Sequence, residues 1–168
     1  MTKIEDMRNK FKQHRVSGLI AISLISLLFS ACGSSPKYGY GNTKSNTKIV
    51  LKTAKNMLGI KYRYGGTSPS RGFDCSGLVQ YSHKAAGINL PRTTSLQFKS
   101  AKRISRKYLQ AGDLVFFKTS PSRSVSHVGI YLGNNKFIHA PSSGKHVKIS
   151  SMKERYWRKR FTGGGRVL

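Results

Sequence analysis

The stretch GFDCSGLVQYSHKAAG, residues 72–87, contains Cys75, one of only two cysteines in the chain. After this cysteine, apolar and small residues return at steps of three and four, which predicts a helix that ends at Gly87. Asp74 is positioned as the N-cap, so Cys75 lies in the first turn. Unpaired N–H groups and the helix dipole stabilise an anion there, which predicts a thiol biased toward thiolate. Position alone leaves open whether Cys75 is reactive or a small buried hydrophobe.

The two halves of the chain around this helix have different hydrophobic periods. Upstream, Thr47 is positioned to cap a helix over 48–58, which Gly59 ends. Downstream, after a short amphipathic segment over 94–101, the period changes to two in the runs DLVFFK (113–118), HVGIYLG (127–133), KFIHA (136–140) and HVKISS (146–151). The Gly-Asn-Asn sequence at 133–135 predicts a tight hairpin. Helices followed by consecutive strands predict an α+β domain whose Cys75 helix packs on one face of an antiparallel sheet.

The N-terminus has the pattern of an export signal. Basic residues within 1–15 precede the apolar run LIAISLISLLFSA, which ends at Ala31. The run is too short and too rich in serine for a membrane span but suits a secretory signal, and FSAC resembles a bacterial lipoprotein signal. We therefore expect residues 1–31 to be a signal peptide and Cys32 to be lipidated, with Gly33 implying outer-membrane sorting. An uncleaved anchor or an ordinary signal peptide are the alternatives.

Residues 32–46 are rich in Gly, Ser, Asn and Thr and have no apolar period, which predicts a flexible tether. Residues 47–168 have the length of one domain with one core. A lipidated Cys32 has no free thiol, so Cys75 stands alone in an oxidising compartment, and this favours a chemical role. A Cys32–Cys75 disulfide is the structural alternative.

The charge of the chain is strongly one-sided, at a formal +26. Removing residues 1–31 takes away five of 31 basic and two of five acidic side chains and leaves +23. Such a surface attracts polyanions; nucleic acid is the common partner, but the export signal favours an anionic polymer of the envelope. The remaining acids, Asp74, Asp113 and Glu154, are too few for a paired-carboxylate glycosidase or a multi-carboxylate metal site.

Three of the five histidines are expected to be away from the thiol. His14 lies in the leader. His83 is more than two helical turns beyond Cys75, so we expect it at the surface or an interface. His146 follows a turn at a strand entrance, where a solvated imidazole is expected.

The other two histidines are candidates for the base that a thiol nucleophile needs. His127 opens one predicted strand and His139 closes the next, at unequal distances from the turn, so direct pairing needs a bulge. On the face covered by the Cys75 helix they would supply a base and an orienting group in a row with the thiol. Alternatively, each is a hydrogen-bonded core histidine.

Several blocks, in this order, resemble the signature of the NlpC/P60 family of peptidoglycan cysteine peptidases. The blocks FDCSGLV, SHVGIYLG and FIHA match its catalytic segments, and YRYGGT, LPRTT, GDLVFF and the C-terminal YWRKRFTGGGRVL also match. The similarity covers about residues 47–168 and extends to the family's small outer-membrane lipoproteins. It implies a papain-like α+β fold, with N-terminal helices packed on an antiparallel sheet.

The resemblance also implies roles for individual residues. It assigns Cys75 as nucleophile, His127 as general base and acid, and His139 as the group that orients the imidazole. Tyr62 matches a tyrosine that stabilises the oxyanion beside the Cys75 N–H, and Tyr64 is interpreted as a packing residue. Three further residues are expected to line or brace the groove: Asp74, Ser76 and Arg92.

The implied reaction is hydrolysis of a stem-peptide amide of peptidoglycan, with no cofactor and no metal. The likeness to the small lipoproteins favours the D-alanyl–meso-diaminopimelate cross-link, and the wider family favours the γ-D-glutamyl–meso-diaminopimelate bond. A non-catalytic wall-binding lipoprotein and a nucleic-acid binder are the alternatives. The joint presence of a candidate nucleophile, base and oxyanion donor argues against the first, and the leader argues against the second. We expect a monomer, anchored through the lipid on Cys32 to the outer membrane and facing the periplasm.

Overall fold

The computed structural model describes residues 43–121 and 124–168. The predicted leader, Cys32 and all but the last four residues of the predicted tether lie outside the described residues. In the described part, the helices are α1 (Thr43–Asn56), α2 (Cys75–Lys84), α3 (Thr94–Ser100) and α4 (Arg155–Arg160), with a 3₁₀ turn at Arg106–Tyr108. The strands are β1 (Thr67–Ser68), β2 (Gly72–Phe73), β3 (Lys102–Ile104), β4 (Leu114–Phe117), β5 (His127–Gly133), β6 (Lys136–His139), β7 (Lys148–Ser151) and β8 (Phe161–Arg166).

The main sheet is antiparallel and has the strand order β3-β8-β4-β5-β6-β7, while β1 and β2 form a separate hairpin. One face of the main sheet packs against α1 and α2. The side chains of this core include Val50, Ala54, Leu78, Val79, Leu114, Phe116, Val128, Ile130 and Ile138. The α+β fold with helices on an antiparallel sheet is therefore confirmed.

A second core covers the opposite face of the sheet. It consists of Val115, Phe117, Tyr131, Phe137, Met152 and Trp157, the last of which lies on α4. The sheet is thus buried on both faces, which explains why β4 reads as an uninterrupted apolar run.

The predicted hairpin between β5 and β6 is confirmed and contains a bulge. Asn134 and Asn135 have φ values of 51° and 57°, as a tight two-residue hairpin turn requires. Tyr131 pairs with Phe137 and Gly133 with Lys136, so one residue of β5 is left over between these pairs. The bulge takes up one residue of the difference between the two candidate histidines, and the register places His139 beside Gly129, so His127 and His139 are diagonal neighbours on adjacent strands.

The first helix begins earlier than the sequence predicts. It starts at Thr43, and Thr47 is not its N-cap, because the Thr47 hydroxyl donates to the carbonyl of Thr43 at 2.9 Å. A threonine inside a helix can satisfy its hydroxyl in this way, so a pattern of capping residues does not fix the start. Residues 43–46, assigned by sequence to the tether, form the first turn.

Candidate active site

Asp74 fixes the start of α2 and thereby the position of Cys75. Its Oδ1 accepts the N–H of Gly77 at 2.7 Å, which confirms the predicted N-cap, and its Oδ2 accepts the N–H of Gly65 at 3.0 Å. The guanidinium of Arg92 donates to both carboxylate oxygens, at 3.0 and 2.6 Å. The carboxylate therefore ties the loop before the cysteine, the helix and the segment after it to one point.

Ser76 completes this cluster. Its hydroxyl donates to Asp74 Oδ1 at 3.3 Å and accepts from Arg92 at 3.0 Å, and its side chain is buried. The hydrogen bonds that Arg92 donates to Asp74 raise the pKa of Arg92, so the guanidinium stays charged. The structure thus brings Asp74, Ser76 and Arg92 together in one hydrogen-bonded cluster next to Cys75. The Arg92 side chain remains partly exposed.

The loop that carries Tyr62 packs tightly on α2. A Cβ on Gly77 would collide with the carbonyl oxygen of Gly66, so only glycine allows this approach of loop and helix. Tyr62 is half-buried, and burial together with the nearby Cys75 and Asp74 raises the pKa of its phenol. The phenol therefore stays protonated near the thiol and can donate a hydrogen bond.

Tyr64 does not have the position expected from the sequence. Its side chain is 88% exposed, so it is not a packing residue. Gly65 follows with a φ of 72°, which turns the chain after Tyr64 and lets the next residues return to α2. An aromatic pattern in this loop cannot distinguish the inward Tyr62 from the outward Tyr64.

The Cys75 thiol is free and lies in a polar but largely desolvated site. Its Sγ lies 3.5 Å from Oγ1 of Thr94, and the backbone N–H groups of Val128 and Ser76 also face the sulfur. Burial nevertheless raises the pKa of the thiol. The predicted bias toward thiolate is wrong for the resting site, because desolvation of the charged form outweighs the hydrogen bonds to the sulfur.

The two candidate histidines are joined by a hydrogen bond that continues to a third residue. His127 Nε2 lies 2.8 Å from His139 Nδ1, and His139 Nε2 lies 3.0 Å from the hydroxyl of Ser150. All three side chains are buried. Sequence reasoning missed Ser150, because in the alternating run HVKISS it shares the polar positions with His146 and Lys148, which are exposed, whereas Ser150 is buried.

The histidines lie on the face of the sheet opposite to α2, and here the sequence expectation is wrong. His127 stacks on Trp157 with ring centroids 5.3 Å apart, and His139 meets the same ring edge-on at 4.9 Å. Alternation along β5 explains this, because Val128 and Ile130 face the helices and His127 must face the other way. The Cys75 thiol lies near the beginning of β5, where the backbone N–H of Val128 faces the sulfur.

Burial keeps both histidines neutral. It lowers the pKa of His127 to about 4, and burial together with the charges of His127, Lys148 and Lys145 lowers that of His139 to about 2. At neutral pH the site therefore holds a neutral thiol and a neutral imidazole. An imidazole in this state can accept a proton.

The hydrogen-bond chain determines which nitrogen of His127 can act. Because Nε2 bonds to His139, Nδ1 is the nitrogen of His127 that remains for another partner. For Nδ1 to accept a proton, Nε2 must carry hydrogen and donate to His139 Nδ1. His139 then carries its hydrogen on Nε2 and donates it to Ser150 Oγ.

The remaining described histidines differ from each other. His83 is fully buried and not at the surface as predicted; its Nδ1 bonds to the carbonyl of Val79 at 2.8 Å, and burial lowers its pKa to about 4. The prediction failed because α2 is covered by α1 as well as by the sheet, so more of its surface is buried than one packed face would bury. His146 is exposed, as predicted, and pairs with Lys61 in an isolated bridge.

The carboxylates of the described residues are all engaged. Asp74 pairs with Arg92, Asp113 pairs with Arg166 at 2.8 Å, and Glu154 accepts the N–H of Ser151 at 2.9 Å. Within residues 43–121 and 124–168, no group of His, Cys, Asp and Glu side chains could hold a metal ion. None of the helices in these ranges is long and apolar enough to cross a membrane.

The fold is that of an α+β domain with helices on an antiparallel sheet and a free cysteine at the start of a helix, and comparison gives this class its name. This chain belongs to the NlpC/P60 family, whose model matches residues 59–166. It is 48% identical over 120 residues to murein DD-endopeptidase MepS/murein LD-carboxypeptidase of Escherichia coli (strain K12), covering 71% of this chain and 62% of the relative.

Other relatives and solved structures agree. The chain is 42% identical over 125 residues to murein DD-endopeptidase MepH of E. coli, covering 73% of this chain and 46% of the relative. It is 45% identical over 121 residues to the bifunctional muramidase/DL-endopeptidase CwlT of Bacillus subtilis, covering 71% of this chain and 36% of the relative. A lipoprotein-like NLP/P60 family structure from Staphylococcus aureus has a TM-score of 0.67 at 37% identity and covers 74% of this chain and 42% of that one. The chain thus spans only part of the curated relatives it matches.

Proposed function

We propose that this chain is a thiol endopeptidase that hydrolyses an amide bond in the stem peptide of peptidoglycan. Cys75 is the nucleophile, His127 the general base and acid, and His139 the group that orients His127. The observation that carries the proposal is the buried hydrogen-bond chain from His127 through His139 to Ser150, which leaves Nδ1 of a neutral imidazole for the thiol.

In the acylation step, the thiol gives its proton to Nδ1 of His127 and the sulfur attacks the scissile carbonyl carbon. The S–C bond forms as the carbonyl electrons move to oxygen, where the Tyr62 hydroxyl and the Cys75 N–H donate hydrogen bonds. The oxyanion then collapses, the C–N bond breaks, and the proton on His127 moves to the departing amine. A thioester on Cys75 remains.

In the deacylation step, water gives a proton to His127 and its oxygen attacks the thioester carbon. The C–S bond breaks, the carboxylic acid product leaves, and the sulfur recovers the proton. His127 remains aligned through both steps because His139 accepts from its Nε2. Asp74, Ser76 and Arg92 hold the helix start that presents the sulfur, and the exposed side of Arg92 offers a positive charge to a substrate carboxylate.

For the scissile bond we propose the D-alanyl–meso-diaminopimelate cross-link. Two similarities support this choice. The relative MepS is named a DD-endopeptidase, and the matched segment covers 62% of its length; the relative MepH is also named a DD-endopeptidase. The name of CwlT, a DL-endopeptidase, supports the γ-D-glutamyl–meso-diaminopimelate bond as the second candidate.

For the cell we propose a monomeric envelope enzyme. Residues 1–31 are the signal peptide, residues 32–46 are a lipidated cysteine and a tether that continues into α1, and residues 47–168 are the catalytic domain. The lipid on Cys32 anchors the chain to the outer membrane, facing the periplasm. The support is the sequence pattern around Cys32 and the basic surface, which suits an anionic wall polymer.

The proposed reaction is tested by digesting purified peptidoglycan with the protein and weighing the products. We expect released muropeptides whose masses identify the cleaved bond, and no release by Cys75→Ala. Alanine in the first turn should preserve α2, which circular dichroism can check. Binding to peptidoglycan without product release by the wild-type protein would identify a non-catalytic wall binder.

A further inference from the structure

The hydroxyl of Thr94 has an unusual partner. Thr94 is the first residue of α3 and its side chain is buried. Its Oγ1 lies 3.5 Å from Sγ of Cys75, within hydrogen-bond range for sulfur. Within residues 43–121 and 124–168, this thiol is the only hydrogen-bond partner of the hydroxyl. A buried hydroxyl ordinarily finds an oxygen or nitrogen partner, so a site that pairs it with the candidate nucleophile calls for a reason.

The position of this hydroxyl is fixed by a neighbouring clamp. Gln97, one turn further along α3, is fully buried and donates from Nε2 to the carbonyls of Ser76 at 3.1 Å and Pro91 at 2.8 Å. One bond reaches the first turn of α2 and the other reaches the segment before α3. The clamp therefore holds the start of α3 against the start of α2, and the hydroxyl against the sulfur.

The hydroxyl can serve the sulfur in both of its protonation states. A hydroxyl accepts a hydrogen bond from S–H and, after rotation of its hydrogen, donates one to S⁻. The bond to the charged sulfur is the stronger one, so the group favours the thiolate. This matters here because burial otherwise disfavours the charged form.

We propose that Thr94 is a further catalytic residue, whose hydroxyl donates a hydrogen bond to the Cys75 sulfur when His127 takes the proton. This inference rests on the proposed role of Cys75 as nucleophile. Negative charge develops on the same sulfur when the thioester breaks, so the hydroxyl assists acylation and deacylation. The backbone N–H groups of Val128 and Ser76 supply the other donors to this charge.

The test is the pH dependence of Cys75 alkylation by iodoacetamide, followed by mass spectrometry of the peptide that contains Cys75. Thr94→Val removes the hydroxyl and keeps the shape of the side chain. We expect the midpoint of the alkylation profile to rise by about one pH unit. A shift of this size corresponds to the loss of about one hydrogen bond to a charged group. In turnover of a soluble muropeptide at neutral pH, we expect kcat to fall about tenfold with KM unchanged.

Two control variants separate this role from packing. Thr94→Ser keeps the hydroxyl and should keep the wild-type midpoint. Ser95→Ala removes the adjacent hydroxyl of α3, which bonds to the carbonyl of Val125 and not to the thiol, and should also leave the midpoint unchanged. If Thr94→Val does not fold, Thr94→Ala provides the same test with a smaller side chain.

The proposal is overturned if the folded variant without the Thr94 hydroxyl keeps the wild-type midpoint, or if all variants shift equally. Alkylation needs no peptidoglycan, so this result is independent of the substrate and bond proposed above. A shifted midpoint in a protein that never cleaves peptidoglycan would support the hydrogen bond from Thr94 to the sulfur and refute both the proposed function and the catalytic role of Thr94.

Discussion

At the scale of single residues, the site depends on groups that are buried yet remain polar. His127 and His139 are packed against Trp157, and this apolar contact removes the water that would stabilise an imidazolium. His127 keeps one hydrogen-bond partner and His139 keeps two, which offsets part of the cost of burying the rings. The result is an imidazole that is uncharged and able to accept a proton above a pH of about 4.

The pH profile should show this directly. The pKa of His127 is lowered to about 4, so protonation blocks the base only below that pH. We therefore expect kcat/KM on a soluble muropeptide to rise with pH through about 4 and not through the usual imidazole pKa near 6.5. A rate profile of the free enzyme that rises through 6.5 would show that His127 is solvated or is not the base.

Ser150 provides a second prediction at this scale. Ser150→Ala leaves Nε2–H of His139 without its acceptor, so His139 can change tautomer and offer N–H at Nδ1 to His127. We expect kcat to fall about tenfold, with KM unchanged because Ser150 is too deep to touch substrate.

The conservative variant Ser150→Thr keeps the hydroxyl and should recover most of the activity. Steady-state kinetics and thermal melting of both variants separate the orienting role from stability. Equal losses in Ser150→Ala and Ser150→Thr would contradict the role of the hydroxyl.

Sequence reasoning at this scale found residues that share a short motif and missed those linked only in space. Asp74 was predictable as an N-cap because its partner lies three residues away. Ser150 and Thr94 lie 11 and 19 residues from the side chains they contact, and no spacing rule connects them. The raised pKa of Cys75 was also beyond reach, because the helix dipole can be read from the sequence and burial cannot.

At the scale of elements, the strands that carry the histidines were predictable and their facing was not. The alternating pattern and the Asn-Asn turn identify β5 and β6 closely. Both faces of the sheet are covered, so apolar residues on alternate positions do not reveal which face meets α2. β8 was missed because its Gly163-Gly164-Gly165 run is depleted in strand formers. A Cβ on Gly165 would meet Ala101 at 2.6 Å, so close packing requires glycine there.

The contact between the Tyr62 loop and α2 gives a prediction for an element. Gly77→Ala places a methyl group against the carbonyl oxygen of Gly66, and neither backbone can yield without moving the loop or the helix. We expect the free energy of unfolding to fall by about 1–3 kcal/mol and turnover to fall further, because Tyr62 and Cys75 separate.

Gly163→Ala is the matched control. Its added Cβ would have its nearest neighbour, on Phe98, at 4.0 Å, so this change should be tolerated. Chemical denaturation and muropeptide turnover measure the two effects. Wild-type stability and turnover in Gly77→Ala would contradict the tight loop–helix contact.

At the scale of the whole molecule, the proposed membrane anchor and the proposed catalytic domain should be separable. Cys32 lies outside the described residues, and the Cys75 site is assembled from residues between Tyr62 and Ser150. We therefore expect Cys32→Ala to abolish lipidation and release the protein from membranes, with muropeptide turnover unchanged. Fractionation of cells and mass spectrometry of the N-terminal peptide measure this. An unmodified Cys32 in membrane-extracted wild-type protein would refute the proposed anchor.

Charge is the other property of the whole molecule, and it separates binding to the wall from catalysis. The engaged carboxylates leave most Lys and Arg side chains of the described part without a carboxylate partner. Salt screens such charges over about 8 Å at physiological ionic strength, so binding of Cys75→Ala to intact peptidoglycan should weaken steeply with added salt. Turnover of a small soluble muropeptide should depend on salt much less, because its contacts are local to Cys75 and His127. Co-sedimentation measures the binding and steady-state kinetics measure the turnover, over the same series of salt concentrations. Nucleic acid should compete for binding and should not be cut. Equal salt dependence of binding and turnover would mean that the distributed charge acts in the catalytic step itself.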